Sequence, residues 1–226
     1  MKAYLKTFTI LASLAGLVLS ARADLLKLST NKNYSVNGGG AYVAQVIDGP
    51  IDNASYSGAA KVGSSSFLTF CLEYNEYFTS GYKYKYAVNT GAVDGGVSGQ
   101  TKPKYDGISN GTAFLYSQFA QGLLAGVANF SYGTGSTGYG YLQNAIWNLE
   151  GEIKGENNLA KWVKGNVQNW NADNNGGLGV YALNLTWGNK AQDQLYYKNV
   201  PEQGLTLAMF GLALVGLASF RRFFSK

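Results

Sequence analysis

The stretch Phe67-Leu68-Thr69-Phe70-Cys71-Leu72-Glu73-Tyr74-Asn75-Glu76-Tyr77-Phe78 sets the fold class. Its period of two puts Phe70, Leu72, Tyr74 and Glu76 on one side and Cys71, Glu73, Asn75 and Tyr77 on the other, which predicts a β-strand. A second strand is predicted over 82–88, with Tyr82, Tyr84 and Tyr86 facing one way and Lys83 and Lys85 the other. Upstream, 27–36 and 41–46 read as early strands, separated from the central pair by a turn-rich segment, 48–66. Segments 179–187 and 193–197 read as closing strands.

Between these groups the period changes. Ser109 or Thr112 can cap a helix that carries Ala113, Phe114, Leu115, Tyr116, Phe119, Ala120, Leu123, Leu124 and Val127 as a broad apolar stripe. After a Gly/Ser loop, 141–149 repeats the pattern with Leu142, Ala145, Ile146 and Leu149. A third helix is predicted over 158–170 from Leu159, Trp162, Val163 and Val167. The order of strands, helices and strands predicts one mainly β domain of the α+β class, a barrel or sandwich with a small helical insertion.

Both ends of the chain carry a different pattern. Residues 1–23 hold Lys2 and Lys6, an apolar stretch over 8–19, and Ala21-Arg22-Ala23, which reads as a signal peptide cleaved before Asp24. At the other end, Val200-Pro201-Glu202-Gln203-Gly204 precedes an apolar run over 205–220 and then Arg221, Arg222 and Lys226. Sixteen residues in a helix would span about 24 Å against a hydrocarbon core of about 30 Å, a marginal length that suits a transient transmembrane segment. The trailing arginines favour a cytoplasmic C-terminus and leave 24–199 outside the inner membrane.

This three-part arrangement over 200–226 resembles the PEP-CTERM sorting signal of Gram-negative bacteria. Val200, Pro201 and Glu202 match its box, with Gln203 where the family usually has proline. The resemblance implies an exosortase-type processing enzyme as a partner, inner-membrane anchoring before processing, and delivery to the cell surface or to an extracellular exopolysaccharide or biofilm matrix.

Charge and composition narrow the rest. Lys2, Lys6, Arg22, Arg221, Arg222 and Lys226, set against Glu202, account for the whole net charge of +5, so segment 24–199 is neutral and offers no footprint for nucleic acid. The sequence contains no histidine, which removes Ser-His-Asp and Cys-His hydrolase chemistry. No metal-ligand spacing and no cofactor motif is present, so no metal, no cofactor and no turnover catalysis are expected.

Cys71 is the sole cysteine in a chain addressed to an oxidising compartment. The residue type leaves three readings open: a buried inert thiol, an intermolecular crosslink, or a thiol committed to chemistry. Phe70-Cys71-Leu72-Glu73 and Leu142-Gln143-Asn144-Ala145-Ile146-Trp147 resemble the two signature segments of bacterial thioester domains known from surface adhesins, with Leu142 where threonine is common. Ala113–Gln121 and Ala191-Gln192-Asp193-Gln194-Leu195 also look like segments seen in surface proteins with this sorting signal.

The thioester resemblance implies a bond between the Cys71 sulfur and the Gln143 side-chain carbonyl. Tyr141 and Trp147 would shield it and Glu73 would accept a proton. An incoming amine would be captured in a single turnover.

Two functions therefore stand as expectations. One is a covalent adhesin that captures an amine-bearing surface or matrix polysaccharide through Cys71 and Gln143. The other is a non-covalent matrix-structural or glycan-binding protein with Cys71 in its core, its tyrosines stacking on sugar rings.

Overall fold

The computed structural model describes residues 24–36, 39–51, 58–93, 105–133, 137–187 and 189–199. The expected signal peptide (1–23) and sorting segment (200–226) lie outside the described residues. Among those described, no helix is long and apolar enough to cross a membrane.

In chain order the strands are β1 (Leu25–Ser29), β2 (Ser35–Val36), β3 (Gly39–Gly40), β4 (Tyr42–Asp48), β5 (Lys61–Val62), β6 (Ser66–Thr69), β7 (Lys83–Asn89), β8 (Gly91–Ala92) and β9 (Asp106–Gly107). Three helices follow, α1 (Asn110–Ala120), α2 (Gly138–Leu149) and α3 (Asn158–Asn166), and the chain returns through β10 (Val180–Trp187) and β11 (Asn189–Tyr197). The protein is mainly β, and its helices form one insertion between two groups of strands.

Seven strands form an antiparallel sheet in the order β11-β10-β7-β1-β4-β6-β5. Alternation fixes its register. In β7, Tyr84 and Tyr86 are buried while Lys83 and Lys85 face solvent, and in β1 Leu26 and Leu28 point inward beside them. A slip of one residue would turn these lysines into the core.

Past Thr69 the chain changes partner. Leu195 donates its N–H to Phe70 O at 2.9 Å, Leu72 donates to Asp193 O at 3.0 Å, and Cys71 faces Gln194 in an antiparallel bridge. The end of β6 therefore meets β11, which belongs to the opposite side of the sheet, and the sheet curls back on itself.

Two cores result. One lines the inside of the curl, with Leu26, Leu28, Ala44, Phe67, Tyr84, Leu183, Leu185 and Tyr196 in a single cluster. The other lies between sheet and helices, where Leu68, Phe70, Leu72, Ala182 and Leu195 meet Leu115, Tyr116, Phe119, Leu142, Ile146 and Leu159.

Ser109 starts α1 by accepting the Thr112 N–H, as its residue type predicts. The helix is pinned to the sheet where Tyr116 donates its hydroxyl proton to Leu68 O at 2.9 Å and Phe70 packs edge-on against Tyr116 and Phe119.

Four sequence expectations change. The helix predicted to carry Leu123, Leu124 and Val127 ends at Ala120, with Gly122 at a φ of 79° just beyond it. The strand predicted over 67–78 pairs with β4 to Thr69 and with β11 through Leu72, and beyond Leu72 side chains take over the backbone groups: Glu152 Oε2 accepts the Tyr74 N–H at 3.0 Å. The strand predicted over 27–36 breaks after Ser29. The helix predicted to 170 stops at Asn166, because Val167 turns to extended backbone (φ −115°, ψ 114°) while its N–H still donates to Val163 O at 2.9 Å, which leaves the Trp170 carbonyl to accept the Gly111 N–H at 2.7 Å.

Candidate functional site

The site is built where the two cores meet. Phe70 and Leu72 point toward the helices while Cys71, between them, points into the inner cluster with Tyr42 and Trp147. This alternation follows from the extended backbone that pairs with β11.

A break in register supplies the second part. Leu183 pairs with Gln194 but Leu185 pairs with Ala191, so Gln192 and Asp193 together oppose Asn184. Such a bulge leaves backbone groups unpaired and redirects side chains. The Asp193 carboxylate fills the gap, accepting from Leu185 N at 2.9 Å, Asn184 Nδ2 at 2.6 Å and Val93 N at 2.8 Å. Beyond the bulge, Gln194 aims its side chain at Cys71 and donates Nε2–H to Sγ at 3.3 Å.

The third part comes from α2. Gln143 is fully buried, and its side-chain amide pairs with the backbone of Cys71 in both directions. Cys71 N donates to Gln143 Oε1 at 2.9 Å, and Gln143 Nε2 donates to Cys71 O at 2.8 Å. One helical side chain thus completes the peptide ladder that β6 abandons. Gly39 of β3 lies against this contact, where even a single added methyl carbon would sit 3.7 Å from Gln143 Cγ and 3.9 Å from the Trp147 ring.

Electrostatics at the site come from burial. Cys71 is wholly enclosed, and desolvation pushes its thiol well above the usual range, against the opposing influence of the Gln194 amide and the Tyr42 hydroxyl. Glu73 is 3% exposed, and burial raises its carboxyl well above the ordinary value, with Asp193 and Glu76 adding like-charge repulsion. Its Oε2 accepts the Asp193 N–H at 3.0 Å, whereas its Oε1 has no donor. Asp193 is raised to about 7, chiefly by burial, against the pull of its backbone donors.

The arrangement has a definite chemical capacity. The Cys71 N–H already points at Gln143 Oε1, the oxygen on which charge would develop if sulfur attacked the amide carbon. The amide nitrogen that would depart is held by the Cys71 carbonyl. The partners stand 72 positions apart in sequence, and the fold makes their encounter intramolecular.

The structure divides the residues singled out from sequence. Cys71, Gln143 and Trp147 come together. Glu73 lies beside them, buried, with its Oε2 accepting the Asp193 N–H. Tyr141 does not join them: it is 48% exposed and lines a separate hollow with Phe130 and Leu159. Two positions along a helix turn a side chain through about 200°, so Tyr141 faces away from Gln143, whereas four positions bring Trp147 back to the same side. Tyr84, Tyr86, Tyr139, Tyr196 and Tyr197 are buried and serve as core. Val200, Pro201, Glu202, Arg221 and Arg222 lie outside the described residues.

Sequence reasoning did not assign roles to Tyr42, Gln192, Asp193 or Gln194. The available signal was the polar run 192–194 directly before the apolar Leu195-Tyr196-Tyr197. Among the described residues no group of three or more His, Cys, Asp or Glu could hold a metal ion. No family model, no curated protein and no solved structure matches this chain.

Proposed function

We propose that this is an exported surface or matrix protein whose domain forms an internal thioester between Cys71 and Gln143 and uses it once, to capture a target amine covalently. The observation that carries the reading is the two-way pairing of the Gln143 amide with the Cys71 backbone.

In the forming step the thiol sulfur adds to the Gln143 amide carbon and the C–N bond breaks. The thiol proton leaves on nitrogen, and ammonia departs. In the capture step a primary amine adds to the same carbon, the C–S bond breaks, and sulfur takes up a proton as the thiol returns. Glu73 and Asp193 are the nearby carboxylates able to relay the amine's proton, both held above the ordinary carboxylate range. The curled sheet, read as an incomplete barrel capped by the helices, keeps bulk water from the bond.

The terminal segments belong to the same proposal. Residues 1–23 direct export, and 200–226 anchor the chain for an exosortase-type enzyme that releases it to the surface or matrix.

The test is intact mass. The purified protein should weigh less than its sequence by one ammonia, methylamine should add one methylamine to that species, and Cys71→Ala should show neither change. Full sequence mass after signal removal, with no methylamine adduct, would end the covalent reading. A second reading is favoured by the same bonds: both polar ends of Gln143 are satisfied, so the amide can serve only to bridge an interrupted strand. That reading makes the chain a non-covalent matrix-structural or glycan-binding protein with a core thiol.

A further inference from the structure

One open cleft, of about 320 Å³, lies beside the Cys71 pocket. Its walls are Tyr42, Tyr74, Tyr77, Phe78 and Trp147, with Thr30, Glu76 and Gln192 supplying polar groups. Two wall residues belong to the site already described: Tyr42 shares the buried cluster of Cys71, and Trp147 stands one helical turn from Gln143. The aromatic pairs cross at steep angles, 90° for Tyr74 on Trp147 and 85° for Tyr42 on Phe78, with centroids 5.0 and 4.8 Å apart.

Among the described residues that line the cleft none is lysine or arginine, whereas Glu76 is one of them and acts electrostatically on both Glu73 and Asp193 behind it. Gln192 links cleft to interior by donating its side-chain N–H to Glu73 O at 2.6 Å. Behind that link the Glu73 carboxylate, 97% buried, keeps Oε1 without a donor. Aromatic faces and carboxylates around a small hollow are the surroundings that favour a cation carrying N–H donors.

We propose that this cleft is a non-covalent binding site for a primary alkylammonium group, held by the aromatic walls and Glu76 and delivered from there toward Cys71 and Gln143. Delivery rests on the thioester reading; binding in the cleft does not. The ammonium's source, a lysyl side chain or an amino sugar, is a matter for the ligand series.

The experiment is a calorimetric titration of the full chain at neutral pH with pentylamine, D-glucosamine and 1-pentanol. A Cys71→Ser protein, which cannot form the bond, is titrated in parallel. Saturable binding of pentylamine or glucosamine by both proteins, with pentanol bound at least about tenfold more weakly, is expected. Which of the two amines binds tighter identifies the source. Glu76→Gln should weaken ammonium binding about tenfold. Tyr77→Leu, at a side chain 81% exposed and so neutral for folding, should weaken it severalfold.

Equal binding of pentanol and pentylamine, or no saturable binding by either protein, overturns the cleft assignment. So does an affinity unchanged by both substitutions. Because Cys71→Ser reports binding alone and intact mass reports the bond alone, failure of one proposal is told apart from failure of the other.

Discussion

Gln143 holds Cys71 by both ends of its side-chain amide, at 2.9 Å to the backbone N–H and 2.8 Å to the backbone carbonyl, so a helix supplies the ladder partner that the sheet withdraws. The chain on either side of Cys71 is tied to β11, and the peptide between would otherwise be buried without partners.

Replacing Gln143 therefore has a structural cost separable from any chemistry. Gln143→Met keeps most of the volume and leaves two buried backbone groups unpaired, at about 1–3 kcal/mol each. Urea denaturation should show a lower midpoint with an unchanged slope, and a loss of about 2–6 kcal/mol. A midpoint equal to that of the parent would mean that water or another side chain replaces the amide.

Stability should fall as pH rises from about 4 to about 7. Asp193 and Glu150 both have carboxyls raised to about 7, chiefly by burial. In the unfolded chain these groups ionise near their ordinary values, so between the two ranges the folded state binds more protons. Their contribution is fully present below the unfolded pKa and lost as pH passes through about 7. Urea midpoints measured from pH 5 to pH 8 should decline, and Glu150→Gln, which preserves an acceptor for the Ser109 N–H and hydroxyl, should flatten part of that decline. A curve rising over this interval would contradict the assignment.

Gly111→Ala should destabilise by about 1–3 kcal/mol through overpacking. The added carbon would lie 3.2 Å from Leu149 Cδ2, from Trp170 O and from Val163 Cγ1, three neighbours on three different segments. Thermal unfolding should register the change, and a crystal structure of the variant should show α1 displaced from α3.

Tyr116→Phe tests how α1 is fastened to the sheet. The hydroxyl is buried and donates to Leu68 O at 2.9 Å, so its removal should cost about 1 kcal/mol while the aromatic packing persists. Chemical denaturation would measure the loss, and far-ultraviolet circular dichroism should remain unchanged.

Much of the architecture was legible along the chain because local rules decided it. The alternation of Tyr84 and Tyr86 with Lys83 and Lys85 needs only a half-buried strand, and the capping by Ser109 needs only its hydroxyl. The change of partner after Thr69 and the end of the strand past Leu72 were not legible, since Leu72 and Tyr74 are held by Asp193 and Glu152, which sequence distance hides. The same holds for the bulge at Gln192 and Asp193, where a one-residue offset between β10 and β11 turns a polar run inward. Tyr141 was misread because nearness in sequence is not nearness on a helix.

Residue types and their periodicity, by themselves, determined that this chain is mainly β with a helical insertion, that no histidine serves it, and that Cys71 is its one thiol. The resemblance of two short motifs implied that Cys71 meets Gln143, whereas tertiary structure alone decided that Gln143 pairs with the Cys71 backbone, that Gln194 and Tyr42 join them, and that an acidic, aromatic cleft opens beside them. The reason is physical: alternation and capping act over a few residues. Closing the sheet on itself and seating α2 against it bring together groups from opposite ends of the domain, which no local pattern records.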